Sequence, residues 1–346
     1  MKKAVTYVIF ICVILMLSGC KKNTTIQSYK EKDDKIEIGM CFDSFVIERW
    51  QRDRDVFVTT AKELGAQVNV QNANGSLETQ VSQIKYFIDK QVDVIVIVAI
   101  DSKEITDVVK EAKKAGIKVV AYDRLISNAD VDLYISFDNE KVGELMAEAL
   151  VSKLDKNKEI LMLCGPTTDT NVAFVEKGFY QVMDKEGIKV ANIMNADGWK
   201  AELAYSYLSE NYQIAIKIGG IMCGNDSLAG QAVRYLSERR LAGTVPVVGQ
   251  DADLDACQRI VEGVQLMTVY KPVENLAKAA AEYAVKLAKG EEINATDTIN
   301  DNKYDVSYIK LAPIAVTDKN MDEVIIDSGF HLREDVYLNV PEEHGN

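Results

Sequence analysis

The feature that most constrains this chain is an alternation: short β-branched runs and amphipathic segments succeed one another along its length. The runs are IEIGMCF, QVNVQNA, DVIVIVAI, IKVVAYD, LYISFDN, EILMLCG, KVANIMNAD, GGIMCGN, VPVVGQD and VQLMTVYK. Between them lie stretches such as LETQVSQIKYFIDKQ, SKEITDVVKEAKKAG and NEKVGELMAEALVSKL. In the second, Ile105, Val108, Val109 and Ala112 fall three and four apart, which puts one apolar stripe on a helix. Strands alternating with helices predict parallel sheets with crossover helices. Gly65, Gly116 and Gly187 each follow such a stripe, where a helix ends in the left-handed conformation that glycine adopts cheaply.

Two blocks have this character, residues 36–137 and 138–271, each the size of one doubly wound domain. Beyond them, one helix (ENLAKAAAEYAVKLAKG), a polar stretch and YDVSYIKLAPIAVT are too little for a third. They are expected to complete the first two. Residues 272 to about 311 would join the N-terminal lobe and about 312–338 the C-terminal lobe, with 339–346 a tail. The expected fold is α/β: two lobes, each a mostly parallel sheet with helices on both faces. A chain that crosses between lobes more than once makes a hinge.

The first residues do not follow this pattern. Met1-Lys2-Lys3 precedes an apolar run from Ala4 to Leu17 that is shorter than the roughly 20 residues of a transmembrane helix. A basic start, an apolar run and small residues before a cut describe a secretory signal, residues 1–19. LSGC, ending at Cys20, resembles the lipobox of bacterial lipoproteins, in which the cysteine becomes the lipidated first residue and anchors the chain to the membrane. Residues 20–35 then read as a flexible tether reaching at most about 50 Å. The folded part is expected outside the cytoplasm, close to a membrane.

The formal charge is −13, and loss of Lys2 and Lys3 with the signal takes it to −15. That field repels nucleic acid and anionic lipid. Cys41, Cys164, Cys223 and Cys257 match no metal-ligand spacing and read as free thiols, mostly buried in strands.

In open parallel sheets, ligands bind at the carboxyl ends of the strands. Here those ends carry Asp43, Asn72, Asp101, Asp123 with Arg124, Asp138 with Asn139, Asp169 with Asn171, Asp197 with Trp199, Asn225 with Asp226, Asp251, and Lys271. Capping of the following helices accounts for most of Asp43, Asn72, Asp101, Asp138 and Asp226. It accounts poorly for Arg124, Trp199 and Lys271. The segment ERWQRDRDVF adds Arg49, a cation in the first turn of a helix, where it opposes the helix dipole at about 0.3–1 kcal/mol. Such a placement calls for a compensating partner. Carboxylates, amides, cations and an indole together suit a neutral polyhydroxylated ring. Acids accept from neighbouring hydroxyls, cations and amides donate to them, and the indole covers an apolar C–H face.

ERWQRDRDVF, YDR (Tyr122–Arg124), ISFDNEKVGE (Ile135–Glu144), CGNDSLAG (Cys223–Gly230), GQDAD (Gly249–Asp253) and VYKP (Val269–Pro272) together resemble the D-xylose-binding proteins of bacterial ABC sugar importers. The resemblance runs from about Ile36 over nearly the whole mature chain. It implies two Rossmann-like lobes of the periplasmic binding protein type 1 fold, closing on a monosaccharide, with no cofactor and no metal. It further implies that Arg49, Asp123, Arg124, Asn225, Asp251 and Lys271 hydrogen-bond the pentose and that Trp199 stacks on it. Asp169 and Asn171 match the family's acid and amide after the proline of the corresponding loop. Trp50 is expected to pack against the lobe, and Arg52, Asp53, Arg54 and Asp55 to form a solvated face of mutual pairs. Two departures bear on sugar preference. PTTDTNVAF is longer than the usual acid–amide–amide run, and CFDSFVIERW lacks the arginine and second acid usual before ERW.

Other functions fit less well. The two histidines, His331 and His344, both lie near the end, which disfavours His-dependent triads and His-rich metal sites. No phosphate-cradling GxxxxGK[ST] loop is present. A sugar-responsive repressor needs a DNA-reading helix pair where this chain has a signal and tether. Two partners remain: an ABC permease that receives the sugar, or a membrane sensor kinase that reads the closed form.

Overall fold

The computed structural model describes residues 35–340 except Ile216 and Thr296. The expected signal, Cys20, the tether up to residue 34 and tail residues 341–346 lie outside the described residues. The chain enters β1 (Ile36–Phe42), then α1 (Arg49–Glu63), β2 (Ala66–Asn72), α2 (Leu77–Lys90), β3 (Val94–Ile97), α3 (Thr106–Lys114), β4 (Lys118–Tyr122) and β5 (Leu133–Phe137). It continues through α4 (Asn139–Val151), β6 (Ile160–Cys164), α5 (Thr170–Glu186), β7 (Val190–Asn195), α6 (Glu202–Glu210), α7 (Tyr212–Ala215) and β8 (Gly220–Cys223). Next come α8 (Asp226–Ser237), β9 (Val247–Gln250), α9 (Leu254–Val261), β10 (Met267–Tyr270) and α10 (Val273–Ala288). β11 (Asp297–Asn300), β12 (Asp305–Leu311), β13 (Ile314–Val316) and α11 (Arg333–Val336) complete it.

Two sheets result, with strand orders β11-β12-β5-β4-β3-β1-β2 and β13-β10-β9-β8-β6-β7. Pairing is parallel except between β11 and β12 and between β10 and β13. The physical cause is visible strand by strand. β3, β6, β8, β9 and β10 are buried at every position, so each must be covered on both faces. The edge strands β2 and β7 are only partly buried. The chain passes from one sheet to the other after β5, after β10 and between β12 and β13, which makes the junction a hinge of three segments.

Gly65, Gly116 and Gly187 have φ of 86°, 82° and 69° at the ends of α1, α3 and α5. β11 to β13 were not expected as strands. DTIN is polar and short, IAV has three residues, and both lie on sheet edges where one neighbour suffices. After β13 the chain folds back on the second lobe. Met321, Ile325, Phe330 and Val336 form a small core with Cys257, Tyr270 and Val316. Cys41, Cys164, Cys223 and Cys257 are buried and free. No described helix is long and apolar enough to cross a membrane.

Local capping sorts the strand-end acids. Asp138 caps α4 by accepting from Lys141 N–H, Asp101 accepts from Lys103 and Glu104, and Asn72 accepts from Asn74. Asp226 departs from expectation: Asn225 caps α8, and Asp226 turns inward. Asp43 does more than accept from Ser44, as its second oxygen belongs to the site.

Candidate functional site

The carboxyl ends of the two sheets face each other, and buried polar side chains from both meet there. On the first lobe Arg49 opens α1 and is nearly fully buried. Two carboxylates offset its unfavourable position. Nη2 and Nε donate to Asp53 at 3.0 and 3.3 Å, and Nη1 meets Asp123 at 3.0 Å. Asp53 is fully buried and also accepts from the Tyr122 hydroxyl. Its placement corrects the solvated face expected for Arg52 to Asp55. A residue four positions after an inward-facing one shares its helix face, so Asp53 follows Arg49 inward. Arg52 is half-covered, donating to Glu274 at 3.0 Å and to the Phe330 carbonyl at 2.9 Å. Arg54 and Asp55 pair at the surface. Trp50 packs into the lobe beside Phe42, with the Arg49 guanidinium 4.5 Å from its ring centroid.

Arg124 ties the lobes together. Its Nη1 donates to Asp43 at 2.8 Å and to the Ala99 carbonyl at 2.9 Å, while Nε meets Asp169 of the second lobe at 2.7 Å. Asp169 caps α5, accepting from Asn171 N–H at 2.9 Å, and accepts the Trp199 indole N–H at 3.2 Å. The Asn171 amide reaches back to Asp123 at 2.9 Å. Asp43 was therefore missed as a site residue because its capping role was the local signal. Its ion pair spans 81 positions and has no local signature.

The second lobe contributes the Lys271–Asp251 pair, 2.8 Å apart, and Asn225, whose Oδ1 accepts from Leu228 N–H. Behind them lies a second network that the sequence did not announce. Asp226 accepts from the Thr268 hydroxyl at 2.6 Å, the Gln265 amide at 2.9 Å and Asp253 N–H at 3.2 Å. The Arg259 guanidinium donates to the Asp226 carbonyl and to Gln265, so the carboxylate itself is held by neutral donors. Three residues of the site have positive φ without being glycine: Asp123 at 65°, Trp199 at 58° and Asp251 at 101°. Each such conformation costs of order 1–3 kcal/mol and persists only where the surroundings impose it.

Electrostatics follow the contacts. Burial would raise Asp123, but Arg49, Lys271 and Arg124 outweigh it and hold the group below the usual carboxylate range. Burial dominates at Asp53 and Asp169 and leaves both raised despite their arginines. Burial alone would lower Arg49 and Arg124, yet the surrounding carboxylates raise both, so they stay charged. Burial pushes Asp226 up to about 7 and Asp253 well above its ordinary value, with Asp226 and Asp251 adding to the latter.

Of the nine residues singled out, Arg49, Asp123, Arg124, Asp169, Asn171 and Trp199 join in one chain of contacts across the cleft. Asp251 and Lys271 form their own pair, close enough for Asp251 to act on Arg49 and Lys271 on Asp123. Asn225 follows Gly224, which backs the Trp199 ring and whose carbonyl accepts from Gln250, the residue before Asp251. Charged acceptors, charged donors and an indole converge from both lobes, an arrangement matched to a ring of hydroxyls. Among the described residues no group could hold a metal ion.

Residues 38–292 match the family model described as "Periplasmic binding protein domain". The D-xylose-binding periplasmic protein of Haemophilus influenzae is 44% identical over 319 residues, covering 90% of this chain and 96% of that protein. The D-xylose-binding periplasmic protein of Escherichia coli is 46% identical over 308 residues, covering 87% and 93%. An ABC transporter solute binding protein from Clostridium phytofermentans, crystallised with β-D-glucose, superposes with a TM-score of 0.78 at 27% identity, covering 87% of this chain and 99% of its own. With a family model spanning most of the chain, and relatives this similar over nearly their whole length, the chain belongs to the periplasmic binding protein family.

Proposed function

We propose that this protein captures a monosaccharide, D-xylose in preference to others, between its two lobes and delivers it in the closed form to an ABC importer. The observation that carries the reading is the convergence of Arg49, Asp123, Arg124, Asp251 and Lys271 from opposite lobes beside one indole. Similarity to two D-xylose-binding proteins supports the choice of sugar. The chain is a binding protein and not an enzyme, and it works outside the cytoplasm, like its relatives. Sugar bridging both lobes binds the closed state better and shifts the population towards it. A solute-binding protein of an ABC transporter among the structural neighbours favours delivery to a permease over signalling to a sensor kinase.

Within that reading, Arg49, Asp123, Arg124, Asn225, Asp251 and Lys271 hydrogen-bond the sugar, Asp169 and Asn171 close the network, and Trp199 forms the floor. The two lobes are taken as residues 36–137 with 272–311, and 138–271 with 312–338. Cys20 is the lipid anchor. Calorimetric titration of the purified protein against a panel of pentoses and hexoses tests the assignment. Heat and a thermal upshift with D-xylose are expected, and silence with every simple aldose overturns it. Metabolic labelling with a fatty acid, lost in Cys20→Ala, tests the anchor.

A further inference from the structure

Trp199 is placed with little freedom. Its own φ is 58° and that of Gly198 before it is 59°, so the turn DGW presents the indole from a left-handed backbone. Asp169 accepts the indole N–H on one edge. The six-membered ring meets bare backbone at the ends of β6 and β8. A Cβ built on Gly165 would stand 2.2 Å from Cζ2, 2.3 Å from Cη2 and 2.6 Å from Cε2 of the indole, and one built on Gly224 would stand 3.3 Å from Cζ3. Gly165 is not among the glycines with positive φ, so its backbone does not demand glycine. Space alone does. An alanine there would force the six-membered ring away from the strand end and strain the hydrogen bond that Asp169 accepts from the same indole.

We propose that Gly165 is a positioning residue of the sugar site, its missing side chain forming the seat that holds the Trp199 indole at the height and tilt at which a sugar ring can stack. The proposal rests on the reading of Trp199 as the floor under the sugar. Gly165 touches no sugar; it acts through the indole.

The test is a double-mutant cycle in the full protein, titrated with D-xylose by calorimetry. Gly165→Ala is expected to weaken binding about tenfold or more, the equivalent of about 1.4 kcal/mol, and to shift tryptophan emission as the ring leaves its seat. Phenylalanine lacks Cζ2 and Cη2, the two indole atoms nearest position 165. Gly165→Ala in a Trp199→Phe background should therefore cost no further affinity, and the double variant should melt where Trp199→Phe alone melts. Additive losses in the cycle overturn the proposal. So does a Gly165→Ala variant that binds like the parent while Trp199→Phe binds weakly. Should Trp199→Phe itself bind like the parent, the floor reading fails first and the proposal with it. If Gly165→Ala alone does not fold, a double variant that is equally unstable overturns the proposal, and one restored to the Trp199→Phe midpoint supports it.

Discussion

On the N-terminal side of the cleft, Asp43, Asp53 and Asp123 each touch a guanidinium. On the C-terminal side Asp226, just as deeply buried, is held by a hydroxyl, a side-chain amide and a peptide N–H. The two halves place similar residues at similar depth and relieve the cost of burial by different means. At Asp123 the opposite charges outweigh desolvation, whereas at Asp53 burial wins and leaves the group raised despite Arg49. Burial pushes Asp226 up to about 7, and the nearby Arg259 guanidinium and the neutral donors offset only part of that cost. Asp123 and Asp226 are thus expected to respond to pH with opposite signs.

Removing an arginine from the first half should have the largest effect. Arg124→Ala strands Asp43 and Asp169 without their cation, a change expected to cost about 3–5 kcal/mol of stability and to abolish sugar binding. Thermal unfolding and calorimetry on the same sample check it, and a parent-like melting point would erase the claimed contrast between the halves.

Asp251→Ala, on the second side, removes one member of a single pair rather than the centre of a network. Folding should survive while affinity for D-xylose falls by about 2–3 kcal/mol, the scale of a lost charged hydrogen bond. Near-parental binding in that variant would count against the site.

The contrast sharpens with pH. The folded-state pKa of Asp226 lies above that of an unfolded carboxylate. Between about pH 4 and 7 the folded chain therefore holds the extra proton, and stability falls as pH rises through that window. The limit for one group is about 1.4 kcal/mol per pH unit. Asp226→Asn should flatten this part of the melting-temperature profile. Asp123, lowered in the fold, has the opposite sign: its contribution is present above the unfolded carboxylate pKa and is lost as pH falls through the lowered value. An unchanged profile in Asp226→Asn would place the titration elsewhere.

The smallest effect is expected at Trp50, which underlies Arg49 without reaching the cleft. Its indole N–H has no acceptor among the described residues, so Trp50→Phe loses packing and cation–π contact but no hydrogen bond. Weakening by a few-fold, on the order of 0.5–1 kcal/mol, is expected in a titration. Complete loss of binding would make Trp50 part of the site itself.

The amino-acid sequence by itself determined the α/β class, the ten principal strands and the ends at which function collects, because those depend on periodicity and composition within a few residues. It also placed Asp138 as a cap, since a cap bonds to N–H groups two or three positions on. Only the tertiary structure decided that Asp53 faces inward, that Asp43 serves Arg124, and that Asp226 turns into the lobe and leaves the cap to Asn225. The strands β11 and β13 belong with these, short pieces that become strands only because a sheet edge is waiting for them. Arg124 and Asp169 are 45 positions apart, and Asp123 and Asn171 48. No local pattern encodes such pairs, because their partners are chosen by where two folded lobes bring distant strand ends together and by how little water remains there.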